Sequence, residues 1–244
     1  MTQAFSLTEL ERLTGCLGRL LPHVHGDGVA ITGGVAMQLG MAELGRRGLR
    51  NGIADLDLVA ASIEVISPSV VGQFLLSHYH VVRPGVPKFM IQLVDPVSRI
   101  RIDIFPDLVR SLMDARTIAI GEHTVHVLPL ARILDHKVRA LSRASSSSPI
   151  DPKHVHDALA LGHLLGRQVP AVAPAALACD VFGIEADCFC ERCKLSEHPR
   201  WPLAPKDRIF ELLGWTRQPN MPLVPSSGSA GFGQSDGIVT TTRG

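Results

Sequence analysis

Asp55 and Asp57 stand two residues apart in the run Asp55-Leu56-Asp57-Leu58-Val59-Ala60, which has the composition of a strand. Side chains alternate between the two faces of a strand, so the two carboxylates share one face and Leu56 and Leu58 share the other. Anions side by side repel unless a cation sits between them, and hard carboxylate oxygens suit Mg²⁺ or Mn²⁺. Upstream, the apolar run Val29–Ile31 reaches the pair Gly33-Gly34, and residues at helical spacing follow. Glycines there leave bare backbone N–H groups at a helix start, where phosphate binds. A further carboxylate, Asp103, lies in Arg99-Ile100-Arg101-Ile102-Asp103-Ile104-Phe105, where alternation puts the isoleucines on one side and Arg99, Arg101 and Asp103 on the other. If that polar side faces the site, Asp103 is the third acid, and Arg101 can neutralise charge or hold a phosphate. Alone, the Asp-x-Asp would fit solvent-facing acids at a strand end, and the glycine pair a tight strand-to-helix turn. Their combination points to a metal and a phosphate held together.

Two further groups carry chemistry. On the helix expected after Pro129, Leu130, Ile133, Leu134, Val138 and Leu141 form an apolar stripe with Lys137 in its middle. A buried ammonium needs a partner or must snorkel to water, and a nucleotide phosphate would be such a partner. Near the C-terminus, Cys188, Cys190, Cys193 and His198 offer enough soft and borderline ligands for a tetrahedral Zn²⁺, with Cys179 able to replace one of them. All positions would then be filled by protein, making the zinc a structural clamp; the alternative is a set of buried or redox-reactive thiols. The eleven histidines are scattered. His78, His80, His123, His126, His154 and His156 read as surface or hydrogen-bonded residues, and no Ser-His-Asp order emerges.

The double glycine opening a helix, the Asp-x-Asp on the next strand and the later aspartate together resemble the nucleotidyltransferase superfamily, which shares its fold with DNA polymerase β. Within it, residues 28 to 165 are most similar to the AbiEii-like branch of toxin-related and abortive-infection enzymes. That branch has a lysine on the helix corresponding to that of Lys137. It usually has an arginine four residues before the first aspartate and a Ser or Thr two before it; here those places hold Asn51 and Ile53, with Arg50 displaced by one. The resemblance implies metal-dependent transfer of a nucleoside monophosphate from an NTP to a hydroxyl of RNA, protein or a small molecule. Asp55, Asp57 and Asp103 would be the catalytic Mg²⁺ ligands, with Gly33, Gly34, Arg50, Arg101 and Lys137 at the nucleotide, and a cognate antitoxin is an implied partner. The departures at Asn51 and Ile53 favour an alternative, a binding or scaffold module that keeps the fold without the transfer and is stabilised by zinc.

These residues need an α/β (α+β) frame, a mixed sheet flanked by helices. Ser6 and Glu9 form a capping-box signature ahead of a helix over about 7–21. The first strand, at Val29–Ile31, is followed by an amphipathic helix from Val35 to about Arg46. Ser67-Pro68 predicts a helix running to about Ser77, followed by β segments near 79–82, 88–94 and 99–105 and a hairpin pairing 117–120 with 124–127 across Gly121-Glu122. Beyond the helix of Lys137, Asp151-Pro152 caps another ending near Gly166, and further helices are expected over 174–181 and 207–213. The organisation read from this is a nucleotidyltransferase-like domain over 1–128, a helical part over 129–183, a zinc segment over 184–217 and a disordered tail over 218–244. With 45% hydrophobic and 19% charged residues and a formal charge of +1, the chain is ordinary globular protein and not one that coats nucleic acid by charge alone. No run suits a membrane span or a signal peptide, and the cysteine usage suits a reducing, cytoplasmic setting.

Overall fold

A computed structural model of the 244-residue chain describes residues 4–49, 52–81, 89–144, 150–173 and 176, with short pieces at 208, 211–212, 215–216 and 224–225. Arg50, Asn51, Cys179, Cys188, Cys190, Cys193 and His198 lie outside the described residues, as do most of the expected helices over 174–181 and 207–213 and most of the expected tail.

The fold is α+β: a mixed seven-stranded sheet with flanking helices. Helix α1 spans Leu7–Leu20, β1 Val29–Thr32, α2 Gly33–Glu43 and β2 Asp55–Ala60. Then come β3 at Leu75–Val81, β4 at Phe89–Val94, β5 at Arg101–Pro106, β6 at Arg116–Ile120, β7 at His123–Val127, α3 at Leu130–Ser142 and α4 at Pro152–Leu165. The strand order is β3-β4-β5-β2-β1-β7-β6, with β2 and β5 parallel, β1 and β7 parallel, and the remaining neighbours antiparallel. The aliphatic face is dry: Leu56, Ile91, Leu93, Ile100, Ile102 and Ile104 are fully buried. Burial of these side chains against a solvated reference stabilises each by roughly 1.5–3 kcal/mol.

Two elements differ from expectation. Ser67 does cap a turn at its N-terminus, but the turn is a 3-10 segment, Pro68–Gly72, and Leu75 to Ser77 belong to β3 instead of to a helix. Val70 and Val71 are β-branched and Gly72 disfavours continuation, while Leu75 and Leu76 find ladder partners in Val94 and Leu93. Helix α2 begins at Gly33, earlier than expected, and its burial does not follow one stripe: Gly34, Val35, Ala36, Met37, Gln38, Gly40 and Met41 are all buried. Small residues permit this, since a Cβ on Gly40 would lie 2.6 Å from Leu130 Cδ2 of α3.

Helix α1 is fastened to the turn between β4 and β5. Ser6 Oγ accepts from the Glu9 N–H, while the Glu9 carboxylate turns to the Ile53 N–H at 2.9 Å and to Arg12. Asp95 is fully buried, and both its oxygens accept from the Arg19 guanidinium, with Ser98 Oγ and the Val97 N–H adding to the shell. Burial would raise the Asp95 pKa, but those donors prevail and hold it below the ordinary carboxylate value. Asp95→Ala removes the acceptor for three donors and leaves Arg19 unpaired; a loss of about 2 kcal/mol or more is expected in urea unfolding. An unchanged midpoint would refute this fastening role.

Candidate active site

The strand register gathers the acids. Asp55 lies beside Arg101 and Asp57 beside Asp103 in the parallel pair of β2 and β5. Thr32 of β1 pairs with Asp57, and Gln92 of β4 pairs with Asp103, so one row across four adjacent strands reads Thr32, Asp57, Asp103, Gln92. Thr32, Asp103 and Gln92 are buried, a costly arrangement in a sheet centre unless partners are supplied. Thr32 and Gln92 were not singled out in the sequence; each becomes visible only through cross-strand register.

Gly33 closes the row from above. Its φ of +61° is in the left-handed region, and a Cβ there would lie 1.9 Å from Asp57 Oδ2. Glycine is thus required twice, by its backbone conformation and by contact with the carboxylate. The N-cap Thr32 makes no side-chain capping bond among the described residues, so the first N–H groups of α2 remain available beside the acids. Gly34 is buried in the same first turn.

Electrostatics at the row are unsettled. Asp57 has its pKa raised to about 7, first by burial and then by the nearby charges of Asp55 and Asp103, with Arg101 and Lys137 opposing. Burial also raises Asp103, against the Arg101 charge. Gln92, its cross-strand neighbour, lies near enough to oppose that rise but does not satisfy Asp103 Oδ1, which is buried without a hydrogen-bond partner among the described residues. Arg101 Nη2 lies 3.2 Å from Asp55 Oδ2 and 3.0 Å from Asp103 Oδ2, bridging the two. As arranged, no three acid, histidine or cysteine groups among the described residues are placed to hold a metal. The donor chemistry nonetheless fits a hard divalent cation: carboxylate oxygens only, one of them orphaned, and an Asp57 charge that its neighbours suppress.

Next to Asp57 lies a cavity of about 330 Å³ walled by Val59, Phe105, Pro106 and Ile133, with Lys137 and His154 also lining it. Lys137 is buried and, instead of snorkelling to water, is already paired inside the protein. Its Nζ lies 2.8 Å from Asp157 Oδ2 and 3.1 Å from His154 Nδ1, both on α4. Burial, then the Lys137 and Lys153 charges, push His154 down to about 4, so its neutral ring accepts from Lys137. Burial likewise lowers His136, on the α3 wall of the cavity. Asp157 and His154 are site residues that the sequence reading misses, although an acid on the buried side of the helix after Lys137 is a readable signal. Ile53 is a core residue whose N–H is taken by Glu9. His78 is buried, and His126 pairs with Asp27.

No family model and no curated protein matches the sequence. Among solved structures, an antigenic nucleotidyltransferase-like protein from Paracoccidioides brasiliensis is similar at 19% identity and TM-score 0.36, over 70% of this chain and 81% of that one. JHP933 from Helicobacter pylori is similar at 17% identity and TM-score 0.32, over 56% of this chain and 58% of its own. At these values neither structure bears on what this chain binds or catalyses.

Folding raises the Asp57 pKa from 3.8 to about 7. The native cation-free protein therefore keeps a proton that the unfolded chain loses, and this residue makes the fold less stable as pH rises between those values. Urea unfolding across that window is expected to show Asp57→Asn gaining stability relative to wild type as pH increases. Parallel curves would contradict a charge-crowded Asp57.

Proposed function

We propose that this chain transfers a nucleoside monophosphate from an NTP to a hydroxyl, as a nucleotidyltransferase of the toxin-related type. One observation carries the reading: Gly33, at the uncapped start of α2, is folded directly over the Asp57 carboxylate, beside Asp55 and Asp103. An anion-binding helix start and a set of hard-oxygen ligands thereby share one space. Bound by Asp55, Asp57 and Asp103, Mg²⁺ or Mn²⁺ would neutralise the phosphates and the charge developing on the leaving pyrophosphate.

The chain's own groups then have definable tasks. The α2 N–H groups at Gly33 and Gly34 hold phosphate oxygens through backbone donors. The cavity walled by Phe105 and Ile133 receives the nucleoside, its size matching a small ligand site. Lys137 has three donors and spends them on Asp157 and His154 with one left for the ligand, fixed in direction by both partners. The acceptor oxygen bonds to the α-phosphorus, the bond from that phosphorus to the bridging oxygen breaks, and pyrophosphate leaves. Asp103 would take up the acceptor's proton, directly as base or through the metal. A structural zinc in the segment of Cys188, Cys190, Cys193 and His198, and a cognate antitoxin, belong to the same proposal.

A second reading, a nucleotide-binding module without transfer, is supported by Ile53, which serves the core where a Ser or Thr would serve a ligand. Labelling separates the two. With α-labelled NTP, Mg²⁺ and RNA, protein or small-molecule acceptor fractions, wild type is expected to label one fraction, and Asp103→Asn to do so at least about 100-fold more slowly. Bound NTP with no labelled fraction would favour the module.

A further inference from the structure

Arg101 holds a place that a cation would need. A single nitrogen, Nη2, contacts both Asp55 Oδ2 and Asp103 Oδ2, while Nε is buried without a partner among the described residues. A guanidinium has five donors in a rigid fork, so this contact leaves it under-satisfied. Asp103, more than nine-tenths buried, likewise keeps Oδ1 without a hydrogen-bond partner among the described residues. One guanidinium thus offsets only part of the charge of the two carboxylates, and its hydrogen bonding is incomplete. The Arg101 side chain retains 24% exposure, which gives it a path outward.

We propose that Arg101 is an internal stand-in for the divalent cation: it closes the site by bridging Asp55 and Asp103, and is released to the incoming triphosphate when the cation takes its place. This rests on the cation-dependent reading above and adds how the site is loaded. Cation alone must displace a guanidinium that loses both carboxylates by leaving, so its apparent affinity is reduced by the fraction of molecules with Arg101 swung away. Cation arriving with a triphosphate offers Arg101 pairs of anionic oxygens that its fork can take in a bidentate contact, and the exchange becomes favourable. The consequence is coupling, in which cation and triphosphate bind far better together than either does alone. It also keeps free Mg²⁺ from settling among the carboxylates without a nucleotide.

The test measures binding and needs no acceptor. Free Mn²⁺, followed by its electron paramagnetic resonance signal, and a preformed complex of Mn²⁺ with inorganic triphosphate are each titrated into wild type, Arg101→Gln and Arg101→Lys, with folding checked by thermal melting. Expected is Mn²⁺ alone binding Arg101→Gln at least tenfold tighter than wild type, while the complex binds the variant no tighter or more weakly. Arg101→Lys keeps the charge but not the fork, and serves where the neutral variant fails to fold; it is expected to shift in the same direction. A folded variant that binds Mn²⁺ alone no better than wild type, with wild type binding well, overturns the stand-in role and leaves the cation site standing. Absence of binding by wild type and variants alike, for Mn²⁺ and for the complex, overturns the cation-dependent reading itself.

Discussion

Two carboxylates, Asp57 and Asp103, stand next to each other in the middle of a sheet, and the repulsion and desolvation this imposes are the constraint that the site must meet. Asp103 is buried and Asp57 half-buried, and the chain surrounds them with donors and a cation. Arg101 comes from the same strand as Asp103 and bridges to Asp55. The α2 start brings its positive end to Asp57, and only a glycine can make that approach. Lys137 adds a second, more distant charge whose own burial is met by Asp157. Removing one partner from such an arrangement costs more than the pair is worth, because it strands the other charge.

The frame around this row is correspondingly rigid. The aliphatic face of the central strands is buried and dry, and α1 is fastened to the turn before β5 through Arg19, Asp95 and Ser98. That fastening fixes where β5 begins, and with it the position of Arg101 and Asp103 relative to β2. On the other side, α2 and α3 approach closely at Gly40 and Leu130, and α3 carries Lys137 to the cavity. A chemistry that depends on atoms placed within a few tenths of an ångström is served by elements, not loops.

Much of this was legible in the residues, and the remainder fails for identifiable reasons. The alternation of Asp55 and Asp57, the turn at Gly33, the shared face of Arg101 and Asp103, and the ends of α1 and α4 follow from local periodicity and capping, and the fold bears them out. Leu75 to Ser77 read locally as helix because the strand partners of Leu75 and Leu76, Val94 and Leu93, are distant in the chain. Local periodicity describes α2 as amphipathic, whereas both sides of that helix are covered. Lys137 was recognised as an anomaly, but its partner Asp157 lies on the next helix and is joined to it only in three dimensions. The bridge from Arg101 to Asp55 spans 46 positions and depends on the β2–β5 register, which no local pattern fixes.

The most direct measurement is calorimetric titration of each NTP, in the presence of Mg²⁺, into the folded wild-type chain and into the double variant Asp55→Ala, Asp57→Ala. A carboxylate-held cation and a phosphate on the α2 start predict binding of at least one NTP that needs Mg²⁺ and vanishes in the variant. No heat from any NTP with folded wild type, or equal binding by the variant, would contradict the site.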